Sequence, residues 1–297
     1  MSLISFSSFS SLFSKKIIAY KFELVLMLPL VFFVFGFTIG PIVQAIIMSF
    51  EDIFGGNFPT LASYSYIIHH HYFTAALFNT IFITGVGLSL ELLVGLVLAL
   101  ILAEKFLGRG IFRAIMLLPL GIPTIVSASN MAFIFSTQGF LNEFLYRIGL
   151  IEIPIDWKVG TLKPLMSIVV ADMWKVTPLI MLILLAGLES IDKQLYEAAR
   201  VDGAGRWHSF RHITLPLLKP YITMALVIRG IDAFRIFELP LVMAGRHVPV
   251  MSSYAYFEYV ERNNPYTSAA GATILLLMIL ITITVYLRAV GTEEVTR

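Results

Sequence analysis

Cysteine is absent from all 297 residues, which excludes disulfides and thiol chemistry while leaving the compartment open. Charge is also scarce. Asp, Glu, Lys and Arg supply 13% of the chain, about half the share that a soluble domain uses. No G-x-x-x-x-G-K-[ST] phosphate loop occurs, so the chain is not expected to hydrolyse a nucleotide by itself, and work against a gradient would need a partner or an ion. No G-x-S-x-G elbow is present either, which leaves no nucleophile motif for a membrane enzyme. The Lys and Arg residues are scattered, the net charge is only +2, and no aromatic-interleaved basic cluster marks a nucleic-acid surface. What fills the chain is apolar: 58% of residues are hydrophobic and mean hydropathy is +0.86. This is the composition of a membrane chain.

Six apolar blocks, at 24–48, 76–102, 112–135, 164–188, 217–241 and 270–288, are each long enough to cross a hydrocarbon core, which takes about 20 helical residues. All are expected to be helices, because only a helix or a closed barrel satisfies its own backbone in lipid and these runs lack barrel-like alternation. The expected fold is therefore all-α and polytopic, with residues 1–23 as an N-terminal segment and 24–297 as one six-helix domain. The first block follows Lys15, Lys16 and Lys21, but its length and the lack of a small-residue cleavage site predict a retained anchor rather than a signal peptide. Orientation follows from the short loops. With the N-terminus inside, the inner segments hold Lys15, Lys16, Lys21, Lys105, Arg109, Arg113, Lys193, Arg200, Arg206, Arg211, Lys219, Arg288 and Arg297. The outer ones hold only Arg147, Lys158, Lys163, Arg246 and Arg262. Both termini, and the polar loop at 189–216, are thus predicted to be cytoplasmic.

Inside the bilayer, a central Arg, Lys or Asp costs about 2.5–3.5 kcal/mol on insertion scales, so such residues face protein or water. The fifth block carries Arg229, Asp232, Arg235 and Glu238 at three-residue steps. On a continuous helix Asp232 could pair with either arginine and Glu238 with Arg235. Asp172 and Lys175 flank Trp174 in the fourth block, and Glu91 lies in the second. Two readings stay open: an ion-pair ladder that holds helices in register, and a lining for a hydrophilic solute. Gly87, Gly95, Ala99 and Ala103 form a small-residue ridge that predicts close helix packing. Pro41, Pro119 and Pro123 predict kinks in the first and third spans. His208 and His212 stand four apart, but Ser209 occupies the place of a zincin's glutamate, and His69, His70 and His71 have no carboxylate cluster near them in sequence. No metal site is expected at either.

The polar loop reads as two short helices. Asp192 is a plausible N-cap, and Leu195, Ala198, Ala199 and Asp202 share one face. Gly203 suits a left-handed C′ position. A second helix is expected from about Arg206 with Trp207, Phe210 and Ile213 on its buried side. The result is a helix-turn-helix foot whose Glu197 offers a charge to a basic partner.

Glu197-Ala198-Ala199, three residues, Gly203, nine residues, then Ile213-x-Leu215-Pro216 resembles the signature loop of binding-protein-dependent ABC importer permeases. "GRGIFRAIMLLPLGIP", "ADMWKVTP", "LAGLESIDKQLYEAARVDGAG" and "RGIDAFRIFELPLV" are similar to the carbohydrate-uptake branch, which includes maltose, trehalose and glycerol-3-phosphate permeases. Similarity runs over nearly the whole chain from about Leu24. The resemblance implies a type I importer permease fold in the cell membrane, with no catalytic residue and no cofactor of its own. It also implies a second permease subunit, two copies of an ATP-binding subunit that uses MgATP, and an extracytoplasmic sugar-binding protein. Glu197, Ala198, Ala199, Asp202, Gly203, Ile213, Leu215 and Pro216 would contact the ATPase. Trp174, Arg229, Asp232, Arg235 and Glu238 would line the substrate path, since aromatic faces and charged hydrogen-bonding groups suit a polyhydroxy ligand. The maltose permease of this type has extra N-terminal helices and a large outer insertion that are missing here, so contacts made by that insertion are not carried over. The competing reading is an ion-coupled secondary transporter using Glu91 and Asp232, which leaves the foot unexplained.

Overall fold

The computed structural model describes residues 21–290; Lys15, Lys16 and Arg297, and most of the expected N-terminal segment 1–23, lie outside the described residues. No strand occurs among the described residues. Helix α1 (Lys21–Val34) passes through a π segment (Phe35–Ile39) into α2 (Gly40–Ser49), and the two make the first span. A short α3 (Ala62–Ile68) leads to α4 (His71–Ala103), the second span. Its 33 residues reach about 50 Å, well beyond a hydrocarbon core of about 30 Å. Next come α5 (Arg109–Gly121) and α6 (Thr124–Ile134), a pair bent by 97° that together has the length and apolar composition of one span, counted here as the third. A short α7 (Phe140–Arg147) precedes α8 (Leu162–Ser190), the fourth and most deeply buried span.

The remaining elements include the largest departure from the expected boundaries. After α9 (Lys193–Val201), a single rod runs from Arg206 to Phe234 as α10 (Arg206–Ser209), a π segment (Phe210–Thr214) and α11 (Leu215–Phe234). Then follow α12 (Glu238–Ala244), α13 (Met251–Val260) and α14 (Pro265–Val290), the sixth span. The fifth span was expected at 217–241 and instead occupies 206–234. Two prolines explain the shift. Pro216 does not stop the helix, because the π segment ending two residues before it absorbs the missing donor and the ring clash. Pro41 follows the other π segment at the same distance. At the far end, Pro240 has no N–H to give to the Ile236 carbonyl, which takes the Ser252 hydroxyl instead, and the helix closes at Phe234.

Spans two and four form the centre of the bundle, with span five against both. Gly87, Gly95 and Ala99 are buried, and a Cβ on Gly95 would stand 2.9 Å from Ile180 Cγ2 of α8, so the small-residue ridge serves a contact within this chain. At the end bearing α9, Leu102, Leu184, Leu185 and Leu218 close a core between these spans. Gly187 lets Tyr221 lie on α8: a Cβ there would meet Tyr221 Cγ at 2.6 Å and Leu218 Cδ1 at 2.7 Å. Gly187→Leu is therefore expected to lower stability by about 1–3 kcal/mol through overpacking, seen as a lower unfolding midpoint of the purified chain in detergent.

At the opposite end one arginine joins three elements. Arg262 donates to Tyr66 Oη on α3 (3.1 Å) and to His70 Nε2 before α4 (2.7 Å), and pairs with buried Glu258 of α13 (3.0 Å). Accepting from a guanidinium requires a neutral His70 with its proton on Nδ1. Burial first, then the Arg262 charge, hold the His70 pKa below its ordinary 6.5. As pH falls from 6.5 towards that lowered value, the unfolded chain binds a proton that the folded chain resists, so stability drops. Thermal unfolding should show a midpoint that falls through this window, and His70→Gln should flatten the fall.

Candidate functional site

The foot is built from local signals. Asp192 accepts from the Gln194 N–H (2.9 Å) and starts α9. At its other end Gly203 adopts φ +81°, the Ala204 N–H reaches the Ala199 carbonyl (2.8 Å) and the Gly203 N–H reaches Arg200 (3.1 Å). These two bonds make a Schellman stop. No residue of α9 is buried, and Glu197, Ala198 and Asp202 face outward. Its hold on the bundle runs through the Tyr196 hydroxyl, 3.0 Å from Thr214 Oγ1 in the π segment of span five. Ser190 Oγ likewise lies 3.0 Å from the Tyr221 hydroxyl, and Arg109 pairs with Glu189 across the same end.

The second limb differs from expectation in two respects. It is the continuous end of span five rather than a separate helix. Trp207, expected on the buried side, is 72% exposed and stacks on Phe210 at 5.6 Å, while Phe210 and Ile213 are half-buried and Leu215 and Pro216 exposed. The apolar face read from the helical period is therefore only partly covered within the described residues, with Trp207 left outside. His208 and His212 stack at 4.1 Å, and among the described residues no three His, Asp or Glu side chains are placed to hold one metal ion.

At membrane level, the charges converge on Arg229, which is 2% exposed. Its Nε and Nη2 form a fork on fully buried Glu91 of α4, at 2.9 and 3.0 Å. Nη2 also bonds Asp172 of α8, and Nη1 bonds Asp232 at 3.1 Å. One guanidinium thus ties spans two, four and five, and such charge-assisted forks are the strong form of the interaction. Asp232 is different in kind: its side chain is 72% exposed, on a face that continues through the exposed Met224, Ile228 and Arg235. Trp174 is partly exposed on α8.

The expected four-residue ladder is not formed. Arg235 is the C-cap of α11, and Glu238 opens α12 beyond the break, so only Arg229 and Asp232 remain a same-helix pair. Sequence spacing missed three further contacts. Glu91 and Asp172 lie 138 and 57 positions from Arg229, and the one available signal was that a carboxylate in lipid must find a cation. Lys175 donates to the Ile122 carbonyl at 2.5 Å, at the bend of span three.

A family model described as "binding-protein-dependent transport system inner membrane component" matches residues 91–290. The chain belongs to this family. It is a multi-pass importer permease, a transport subunit and not an enzyme, and the reading as a secondary transporter is set aside. Among its relatives, the trehalose/maltose transport system permease protein MalF of Thermococcus litoralis is 38% identical over 76% of this chain and 77% of that one. The arabinooligosaccharides transport system permease protein AraP of Bacillus subtilis is 32% identical over 94% and 90%. A solved bacterial alginate ABC transporter, in complex with an alginate pentasaccharide-bound periplasmic protein, shares the fold. One of its chains has a TM-score of 0.81 at 24% identity over 94% of this permease and 98% of that chain. The matched residues 91–290 include Arg229, its three carboxylate partners and the whole foot.

Proposed function

We propose that this permease forms half of the translocation path of an ATP-driven sugar importer in the cell membrane. The carrying observation is that the second limb of the foot and the charge-bearing face of span five are the two ends of one rod, Arg206 to Phe234. A push on α9 reaches that rod through the turn at 202–205 and the Tyr196–Thr214 contact, and no loop intervenes between there and Arg229 and Asp232. An ionised carboxylate does not face lipid cheaply, so the 72% exposed side chain of Asp232 points to a water-filled path shared with a second permease subunit. Trp174, Asp232, Arg235 and Glu238 offer that path a ring and hydrogen-bonding groups suited to sugar hydroxyls, with Arg229 holding Asp232 from behind. Both termini and the foot lie on the cytoplasmic side, where two copies of an ATP-binding subunit use MgATP; this chain needs no cofactor. Glu197 would meet a basic residue of that subunit. An extracytoplasmic sugar-binding protein would deliver the cargo, and the saccharide relatives support an oligosaccharide class. Reconstitution with the cognate ATPase and binding protein, followed by a screen of trehalose, maltose and arabinooligosaccharides, tests this. A sugar that stimulates ATP hydrolysis and enters the vesicles supports it; uptake by the chain alone, without ATPase, overturns it.

A further inference from the structure

Among the described residues, span three is the one candidate span cut in two, with a 97° bend between α5 and α6. At the cut, Ile122 is extended (φ −83°, ψ 132°) and Pro123 serves as the N-cap of α6. Pro123 has no N–H, and the extended Ile122 turns its carbonyl out of the helical ladder. A carbonyl left unpaired at membrane depth costs several kcal/mol. Lys175 Nζ of α8 supplies the donor at 2.5 Å, and the residue is only 8% exposed. A lysine in that position is itself expensive unless its charge is used. Three residues earlier on the same helix, Asp172 holds Arg229 of span five, and span five continues unbroken to the foot.

We infer that Lys175 is a positioning residue that holds span three in its bent state and passes movement of the foot, through Arg229 and Asp172 on the same helix, to the bend. This rests on the importer reading given above but adds a part of the path that nothing else in the chain assigns. The physical logic is that the bend has two ways to satisfy Ile122: the Lys175 ammonium in the bent form, or a helical N–H from the following turn in a straightened one. When α8 shifts relative to α5, the ammonium leaves the carbonyl and the balance between the two changes. Lys175 touches no cargo. It sets the shape of a span that does not itself carry the buried charges.

Spin labels at the exposed positions Ile111 and Phe133, on the two sides of the bend, read the angle in the full chain in lipid nanodiscs. Straight helix would place these positions about 33 Å apart, and the bent form much closer. Lys175→Met alone leaves the carbonyl bare and is expected to accumulate poorly, so the deciding chain is Lys175→Met with Pro123→Ala, where a restored N–H lets the helix close. This double variant should shift to the long distance, while Pro123→Ala alone and Lys175→Arg stay short. In the complete transporter, the double variant should hydrolyse ATP with sugar moved per ATP down about tenfold, within the usual range of coupling between sites, and Lys175→Arg should keep the ratio near normal. A double variant that stays bent, or a folded Lys175→Arg chain that straightens, overturns the inference. The distance is measured without transport, so a failure of the importer reading would show separately, as wild-type complex lacking sugar-stimulated hydrolysis.

Discussion

Arg229→Leu is expected to prevent the chain from accumulating in folded form. The substitution leaves Glu91 and Asp172 buried with no cation between them and frees Asp232 from its partner 3.1 Å away. Removing one member of a buried ion pair costs about 3–5 kcal/mol, a large share of the roughly 5–15 kcal/mol by which a folded domain is stable. Two carboxylates share the loss here. Arg229→Lys should recover only part of it, because an ammonium cannot fork onto the two Glu91 oxygens while also reaching Asp172. The informative control is the triple change Arg229→Leu, Glu91→Gln and Asp172→Asn, which removes the uncompensated charge along with its partner. Size-exclusion profiles and unfolding midpoints in detergent should show the single variant lost and the triple one largely restored. An Arg229→Leu chain of normal yield and midpoint would mean that these carboxylates are neutralised by something other than Arg229.

That cluster marks the boundary of what sequence alone made legible. The first limb of the foot could be read to the residue, since Asp192, Gly203 and the helix between them act through bonds to neighbours two to five positions away. The five long apolar spans, and the bent pair that makes up a sixth, were equally visible, because hydropathy adds over a long window. Boundaries and pairings were less so. The window that made 217–241 a span averaged over Pro240, although that proline is what diverts the Ile236 carbonyl to Ser252. The three-residue steps from Arg229 to Glu238 were real in sequence, but the steps assumed a helix that ends at Phe234. Trp207 obeyed its helical period and still lies outside, because a period predicts a face and says nothing about whether the chain itself covers it. Lys175 had no readable partner at all: a backbone carbonyl becomes a ligand only once the bend at Ile122 has exposed it.

Glu197→Lys is expected to give the opposite phenotype from Arg229→Leu: a chain that folds normally and transports nothing. Its side chain is exposed on a helix with no buried residue, and a surface substitution of this kind changes stability by about 0.5 kcal/mol or less. On the importer function proposed above, its cost falls on the contact with the ATP-binding subunit. Reversing the charge would place two cations together where the proposed contact pairs a carboxylate with a basic group, and breaking such an interfacial pair costs about 2–5 kcal/mol, which corresponds to a loss of roughly thirtyfold to several thousandfold in association. Unfolding midpoints should stay at the wild-type value, while co-purification of the ATPase and sugar-stimulated hydrolysis both collapse. A reversal of the opposing basic residue on the ATPase should recover them. Gly203→Trp should behave similarly for a different reason, since φ +81° is strained for any residue with a side chain and the turn sets the angle at which α9 is presented. Stability retained with coupling lost would place the function of this loop outside the chain's own packing, with α9 acting on span five through the turn at 202–205 and the Tyr196–Thr214 contact.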